Sequence, residues 1–207
     1  PLALGTAVDP SVGGGLIGEP LLVVTLWWLT ALAGGSDATV GTVLAVYPVL
    51  AALGVGALVY LLGARVFDDR RVGLLAAGLL AVMPAHAMRT SLGFADHHAF
   101  DYLWLMAMIA VLVWLVTVAD PRGRRARHGA LALGVAIAGL AHAWEGSPLL
   151  LLPVAVYLGL AVLLDIDDGQ SPVWTNLPVV AGLWVGAVLT LVAHVGLSWS
   201  QSTVAAV

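Results

Sequence analysis

The chain has 207 residues, of which 61% are hydrophobic and 10% are charged, with a formal net charge of −4 and a mean hydropathy of +1.02. This composition excludes an ordinary soluble domain and indicates an integral membrane protein. The absence of cysteine also excludes disulfides, thiolate metal sites and thiol nucleophiles.

Residues 1–39 are predicted to form the tail of an external loop. The stretch from Pro20 to Ala33 is apolar, but as a helix it spans only about 21 Å, which is marginal for crossing a bilayer. Its neighbouring Trp27 and Trp28 are typical of a membrane interface. We therefore expect a short interfacial helix here. Because the chain opens with Pro1 and ends in apolar residues, we expect it to be a fragment of a longer protein.

Six apolar runs predict about six membrane crossings, separated by short connections that hold most of the charge. The runs lie near residues 40–64, 72–88, 102–119, 129–143, 149–164 and 178–197. The predicted fold class is therefore all-α, a polytopic transmembrane helical bundle that occupies residues 40–207 and is incomplete in this chain.

Arginine-rich connections predict the orientation of the bundle. The connections at residues 65–71 and 122–127 are two crossings apart, so they lie on the same side of the membrane. Short cytoplasmic loops carry an excess of positive charge, so both are expected in the cytoplasm. Residues 89–98 lie between them along the chain and are then expected outside, together with residues 1–39 and the turn at 144–148.

The loop at residues 89–98 carries the most informative cluster of ionisable side chains. Asp96 and His98 are two residues apart, so on an extended backbone both side chains point the same way. A carboxylate and an imidazole are acceptable ligands for Mn²⁺ or Mg²⁺, and manganese tolerates the nitrogen better. The spacing therefore predicts a divalent metal site at Asp96 and His98, with further ligands from elsewhere in the chain.

Two alternatives remain open for this loop. His97 and Asp101 are four residues apart, and they form a hydrogen-bonded helix cap if the next helix begins early. Arg89 either binds phosphate or carboxylate through its guanidinium, or anchors the end of the preceding helix by snorkelling.

Other ionisable residues favour a structural role. Glu145 lies in an expected outer turn, where it is hydrated or touches a lipid head group. His86, His142 and His194 lie in apolar runs and are expected to be packing residues; a proton relay is the alternative. That alternative corresponds to a proton-coupled secondary transporter, although the internal repeat typical of transporters is not visible.

The motif Arg89-Thr90-x-x-Gly93-Phe94-x-Asp96-x-His98 resembles the second external loop of the catalytic subunits of oligosaccharyltransferases, most closely the archaeal AglB type. In that family an Arg-Thr or Arg-Ser pair precedes a Gly-aromatic-x-Asp-x-Asp or Asp-x-His motif. The resemblance extends over most of residues 40–164, including Tyr47-Pro48-Val49-Leu50, but only the loop motif is specific.

The resemblance implies a GT-C-like membrane domain and a glycosyltransferase. Such an enzyme transfers an oligosaccharide from a dolichol (polyprenyl) phosphate carrier to the asparagine of Asn-x-Ser/Thr outside the cell. The implied partners are the lipid-linked oligosaccharide donor, the acceptor sequon and membrane lipid, and a single-subunit enzyme is compatible with the family. There is no GxGxxG or Walker-type loop, so nucleotide chemistry is not indicated. We also expect no nucleic acid partner.

The resemblance also implies roles for individual residues. Asp96 and His98 would ligate Mn²⁺ or Mg²⁺, which would offset the charge that develops on the departing lipid phosphate. Arg89 and Asp96 are the candidate catalytic residues, and Arg89 would position the acceptor or the catalytic groups.

Some features of the family are missing from these residues. Asp9 does not match the pattern around the metal-binding aspartate of the first external loop. The glutamate of a later external loop and the Trp-Trp-Asp-Tyr-Gly motif of the C-terminal domain are absent, so we expect this fragment alone to be inactive. The alternative within enzymes is another polyprenyl-phosphate-dependent membrane glycosyltransferase, similar to an O-mannosyltransferase.

Overall fold

The computed structural model describes residues 20–117, 120–144 and 146–197, without the side chain of Leu197. These residues form eight α-helices and no strand. The helices are α1 (Pro20–Leu32), α2 (Asp37–Val66), α3 (Arg70–Val82), α4 (Pro84–Arg89), α5 (His98–Val116), α6 (Arg124–Ala143), α7 (Ser147–Asp167) and α8 (Pro172–Leu197). The predicted all-α membrane bundle is therefore confirmed.

Side-chain caps define where two of the helices begin. The Ser36 hydroxyl accepts a hydrogen bond from the Thr39 N–H at 3.2 Å at the start of α2. The Asp69 carboxylate accepts one from the Arg71 N–H at 2.8 Å at the start of α3. These bonds satisfy amide groups that the first turn of a helix leaves without an internal partner.

The helices after α1 traverse the bundle six times, counting α3 and α4 as one traverse. We call the end that carries residues 90–97 the loop end, and the end that carries residues 67–69 and 120–123 the arginine end. Helices α2 and α5 run in the same direction, because Arg65 near the end of α2 donates a hydrogen bond to Thr117 after α5 at 2.7 Å.

Among the described residues, four helices, α2, α5, α7 and α8, are long and apolar enough to cross a membrane individually. The predicted crossing at 72–88 is wrong as a single helix, because Met83 has an extended backbone (φ −67°, ψ 119°) between α3 and α4. Pro84 follows it, and a proline disfavours helical backbone in the preceding residue. With four apolar spans and an all-helical bundle, the chain is a multi-pass membrane protein.

Helix α6 lies at the centre of the bundle. It starts five residues earlier than the predicted run at 129–143. It begins at Arg124, so three arginines assigned to a connection lie in its first turns. Twelve of its residues are buried. A Cβ atom on Gly134 would lie 2.6 Å from Val185 Cβ, and one on Gly186 2.8 Å from Ile137 Cγ2. Small residues thus allow α6 and α8 to approach closely.

Helix α1 packs at the loop end of the bundle. Leu22 belongs to a buried apolar cluster with Tyr47, Phe100 and Ala143, which come from α2, α5 and α6. The predicted loop tail at residues 1–39 lies partly outside the described residues, because 1–19 are not described. Its external location stays a prediction.

Candidate functional site

Helix α4 ends in a way that satisfies its last carbonyl groups. The Thr90 hydroxyl donates to the His86 carbonyl oxygen at 2.7 Å, and the Ser91 hydroxyl donates to the Met88 carbonyl oxygen at 2.9 Å. The carbonyls of a last helical turn have no partner within the helix, so these two bonds stabilise its end. The chain then leaves α4 at a defined position and enters the loop.

The loop is held against α2 by two hydrogen bonds. Gly93 has a left-handed backbone with φ of +84°, which glycine adopts without strain. Its N–H donates to the Ala45 carbonyl oxygen at 2.9 Å. The Tyr47 hydroxyl donates to the backbone carbonyl oxygen of Asp96. Because α2 is long and packed, it gives the Asp96 backbone a fixed support.

Asp96, His97 and His98 form a cluster whose potential metal-ligand atoms all lie within 4.8 Å of one another. Asp96 Oδ1 is 3.1 Å from His97 Nδ1, and the rings of His97 and His98 have centroids 4.1 Å apart. All three side chains are partly exposed, with 25%, 33% and 28% of their surfaces accessible. The structure therefore brings the two predicted ligands together and adds His97.

Asp101 lies behind this cluster on the first turn of α5. Its Oδ2 atom is 3.4 Å from His98 Nδ1 and 3.9 Å from His97 Nε2, and the residue is 5% exposed. Helix α5 begins at His98, four residues before the predicted run. The two predicted metal ligands lie in one cluster, and His97 and Asp101 are close to each other, but the His97 side chain makes no capping hydrogen bond at the start of α5.

Arg89 is connected to the cluster through Tyr102. Its Nη1 atom donates a hydrogen bond to the Tyr102 hydroxyl at 3.1 Å. The Tyr102 ring stacks on the His98 ring, with centroids 6.2 Å apart and planes at 15°. Arg89 is half-buried, and its hydrogen bond to Tyr102 directs the guanidinium towards the cluster.

The sequence analysis did not single out Tyr102 or the hydroxyl of Tyr47 for this site. Tyr102 follows His98 by four residues, a spacing that places both on one helical face once α5 is known to begin at His98. Tyr47 offers no such local signal, because it lies 49 positions before Asp96.

The donor set of the cluster fits a divalent metal. One carboxylate and two imidazoles are ligands that Mn²⁺ accepts, whereas Mg²⁺ favours oxygen ligands more strictly. The partial exposure of all three side chains would leave coordination positions accessible to water or to a substrate phosphate.

The remaining predicted residues lie outside the cluster. His86 is buried at 7% exposure, with its ring centroid 6.0 Å from that of Tyr102. His142 is buried on α6, and His194 is half-buried on α8. Glu145 lies outside the described residues.

Comparison with known proteins identifies the family. The family model described as oligosaccharyl transferase STT3, N-terminal, matches residues 13–204. The chain is 29% identical over 113 residues to dolichyl-phosphooligosaccharide-protein glycotransferase 2 of Archaeoglobus fulgidus. That match covers 54% of this chain and 17% of the relative.

Two solved structures share the fold. The crystal structure of the Archaeoglobus fulgidus oligosaccharyltransferase in the apo form is similar with a TM-score of 0.73 and 22% identity. The archaeal oligosaccharyltransferase AglB from the same organism, in complex with an inhibitory peptide and a dolichol-phosphate, has a TM-score of 0.73 and 23% identity. Each match covers 86% of this chain and 21% of the other. Because the family model matches most of its length, the chain belongs to the oligosaccharyl transferase STT3 family and corresponds to its N-terminal region.

Proposed function

We propose that the protein is a metal-dependent glycosyltransferase of N-linked protein glycosylation. It would transfer an oligosaccharide from a dolichol (polyprenyl) phosphate carrier to the asparagine of Asn-x-Ser/Thr on the external side of the membrane. The observation that carries this proposal is the cluster of Asp96, His97 and His98 within 4.8 Å, in the loop that carries the family motif.

Two relatives support the choice of substrates. One is named a dolichyl-phosphooligosaccharide-protein glycotransferase, and another was solved with an inhibitory peptide and a dolichol-phosphate. We extend a lipid-linked donor and a peptide acceptor to this protein by family membership. Since the chain spans 17% and 21% of these relatives, the further parts of such an enzyme are not represented in it.

The reaction replaces a glycosidic C–O bond by a C–N bond. The sequon amide nitrogen bonds to the anomeric carbon, while the electron pair of the broken bond stays on the lipid phosphate oxygen. The amide nitrogen gives up a proton to the released phosphate or to water. Asp96 and His98 would hold Mn²⁺ or Mg²⁺, and a metal in this position supplies Lewis-acid stabilisation of the phosphate charge.

Arg89 would contribute a fixed positive charge beside the metal ligands. A guanidinium has five N–H donors, and Tyr102 accepts from only one nitrogen, Nη1. The other donors can bind a phosphate or a carboxylate in a bidentate manner. We propose Arg89 and Asp96 as the catalytic residues on this basis.

The proposed orientation places the loop end outside the cell. The arginine end carries Arg65, Arg70 and Arg71 near α2 and α3, and Arg122 to Arg127 near α6. The excess of positive charge there supports a cytoplasmic location. Residues 1–39 would then lie on the external side, where α1 packs on the bundle.

The proposal is tested by glycopeptide mass spectrometry of a sequon-bearing surface protein, from host cells that carry full-length protein. We expect Asp96→Ala and His98→Ala each to lower glycan occupancy at least about tenfold, because even the loss of a group that only orients a metal ligand costs about 10- to 100-fold. Added Mn²⁺ should partly restore His98→Ala. Asp167→Ala and His128→Ala are the matched controls, because both residues are exposed, on α7 and α6. We expect normal glycan occupancy in both variants.

Other outcomes contradict the proposal in distinguishable ways. Unchanged occupancy in both Asp96→Ala and His98→Ala, with the protein present in the membrane, would remove the catalytic role of the loop. Glycans that depend on this protein but are attached to serine or threonine would favour the O-mannosyltransferase-like alternative.

A further inference from the structure

We infer that Asp101 is a positioning residue that sets the tautomer and the orientation of His98, so that His98 presents Nε2 to a divalent metal. The inference rests on the metal site proposed above and adds a residue that the loop motif does not contain. Asp101 would act through His98 and would not itself touch the metal.

The helix places Asp101 where this role requires it. Residues three and four positions apart lie on one face of a helix, and Asp101 follows His98 by three and His97 by four. Its Oδ2 atom is 3.4 Å from His98 Nδ1, an ion-pair contact slightly longer than an ordinary N–H···O hydrogen bond. Because both residues belong to the first turn of α5, this relationship is built into the backbone.

Burial distinguishes Asp101 from the candidate ligands. Asp101 is 5% exposed, whereas the side chains of Asp96 and His98 are 25% and 28% exposed. Asp101 is also not among the three residues whose ligand atoms lie within 4.8 Å of one another. A carboxylate at such a depth is stable only when polar groups surround it. Asp101 therefore lies behind the imidazoles, on the side away from the accessible face.

The chemistry of imidazole then assigns the ligating nitrogen. A neutral imidazole carries a proton on one nitrogen and a lone pair on the other. A carboxylate facing Nδ1 favours the proton there, because a carboxylate accepts hydrogen bonds and cannot donate them. The lone pair of His98 is consequently on Nε2. Histidine ligands commonly donate their second N–H to a carboxylate in this way, which fixes the ring and raises its basicity.

The neighbouring rings distinguish His98 from His97. The Tyr102 ring lies nearly parallel to the His98 ring with centroids 6.2 Å apart, and Asp101 Oδ2 lies 3.4 Å from His98 Nδ1. His97 has a carboxylate near each nitrogen, with Asp96 Oδ1 3.1 Å from Nδ1 and Asp101 Oδ2 3.9 Å from Nε2. His98 is thus the imidazole that is oriented to leave Nε2 for a metal.

The test is the Mn²⁺ dissociation constant of purified full-length protein, measured from the electron paramagnetic resonance signal of free Mn²⁺. We expect Asp101→Leu to raise the dissociation constant about 10- to 100-fold, the usual effect of removing a partner that orients a metal ligand. Asp101→Asn should raise it about fivefold, because a neutral amide oxygen is a weaker acceptor than a carboxylate.

Asn176→Leu is the matched control. Asn176 is also 5% exposed, but it lies on α8 and donates to Asp165 at 2.7 Å, away from the loop. We expect this variant to lower the melting temperature without changing the Mn²⁺ dissociation constant. If Asp101 had only a structural role, Asp101→Leu would also lower the melting temperature without changing the Mn²⁺ dissociation constant. That result would overturn the inference.

The inference and the proposed function fail in different ways. If His98→Ala weakens Mn²⁺ binding but both Asp101 variants bind like wild type, the positioning role is wrong and the metal site stands. If wild-type protein does not bind Mn²⁺, both the proposed metal site and the positioning role of Asp101 are wrong. Should Asp101→Leu not fold, Asp101→Asn decides, and an unchanged dissociation constant contradicts the inference.

Discussion

The hydroxyl of Tyr47 donates a hydrogen bond to the backbone carbonyl oxygen of Asp96, although the two residues are 49 positions apart. Tyr47 is buried within α2, and Asp96 lies in the loop between α4 and α5. This bond fixes the backbone of the candidate metal ligand to a long helix, so the position of the Asp96 carboxylate depends on the packing of α2.

We expect Tyr47→Phe to weaken Mn²⁺ binding about fivefold, because it removes one hydrogen bond worth about 1 kcal/mol to the loop. Glycan occupancy should fall by a similar factor at limiting Mn²⁺. The measurement is the same Mn²⁺ titration of full-length protein. Tyr60→Phe, near the opposite end of α2, is the control, and equal dissociation constants for the two variants would contradict the anchoring role.

Arg89→Lys should lower glycan occupancy about tenfold while leaving the Mn²⁺ dissociation constant within about twofold of wild type. Lysine keeps the charge but lacks the planar fork that holds Tyr102 at 3.1 Å and binds phosphate bidentately. Glycopeptide mass spectrometry and Mn²⁺ titration measure the two effects separately. Arg127→Lys, at an exposed position on α6, is the control; normal occupancy in Arg89→Lys would refute the role of the guanidinium.

Gly134→Ala should destabilise the bundle by about 1–3 kcal/mol through overpacking between α6 and α8. The added Cβ atom would lie 2.6 Å from Val185 Cβ and 3.0 Å from the Gly182 carbonyl oxygen. Thermal unfolding of detergent-solubilised protein measures the effect. Gly159→Ala introduces the same methyl group on α7, where nothing lies within 4 Å, and it should not lower the melting temperature. Equal melting temperatures for the two variants would show that α6 and α8 can separate without cost.

Single cysteine substitutions test the orientation, because the 207 residues contain no cysteine. Leu92→Cys lies at the loop end and is 71% exposed as leucine, so a membrane-impermeant maleimide should label it in intact cells. Gln170→Cys, exposed at the arginine end between α7 and α8, should be labelled only after permeabilisation. Protein without either substitution gives the background, and the opposite labelling pattern would reverse the proposed orientation.

Local patterns in the sequence were sufficient to predict the fold class and to locate the loop motif. Long apolar runs predict transmembrane helices because each backbone polar group must be satisfied within the helix in lipid. The spacing of Asp96 and His98 indicated a metal pair, and the structure brings both into one cluster. The break at Met83 was not predicted, and the early start of α5 at His98 was considered only as an alternative, since a composition window does not locate helix ends.

The sequence by itself determined the all-α membrane class and the position of the loop motif, because these depend on composition and on neighbours along the chain. Only the tertiary structure decided that Tyr47 supports Asp96, that Arg89 contacts Tyr102, and that α6 is the central helix. These relationships arise where helices pack through small residues such as Gly134 and Gly186. Such contacts join residues far apart in the chain, and no periodicity within a single helix specifies its partner.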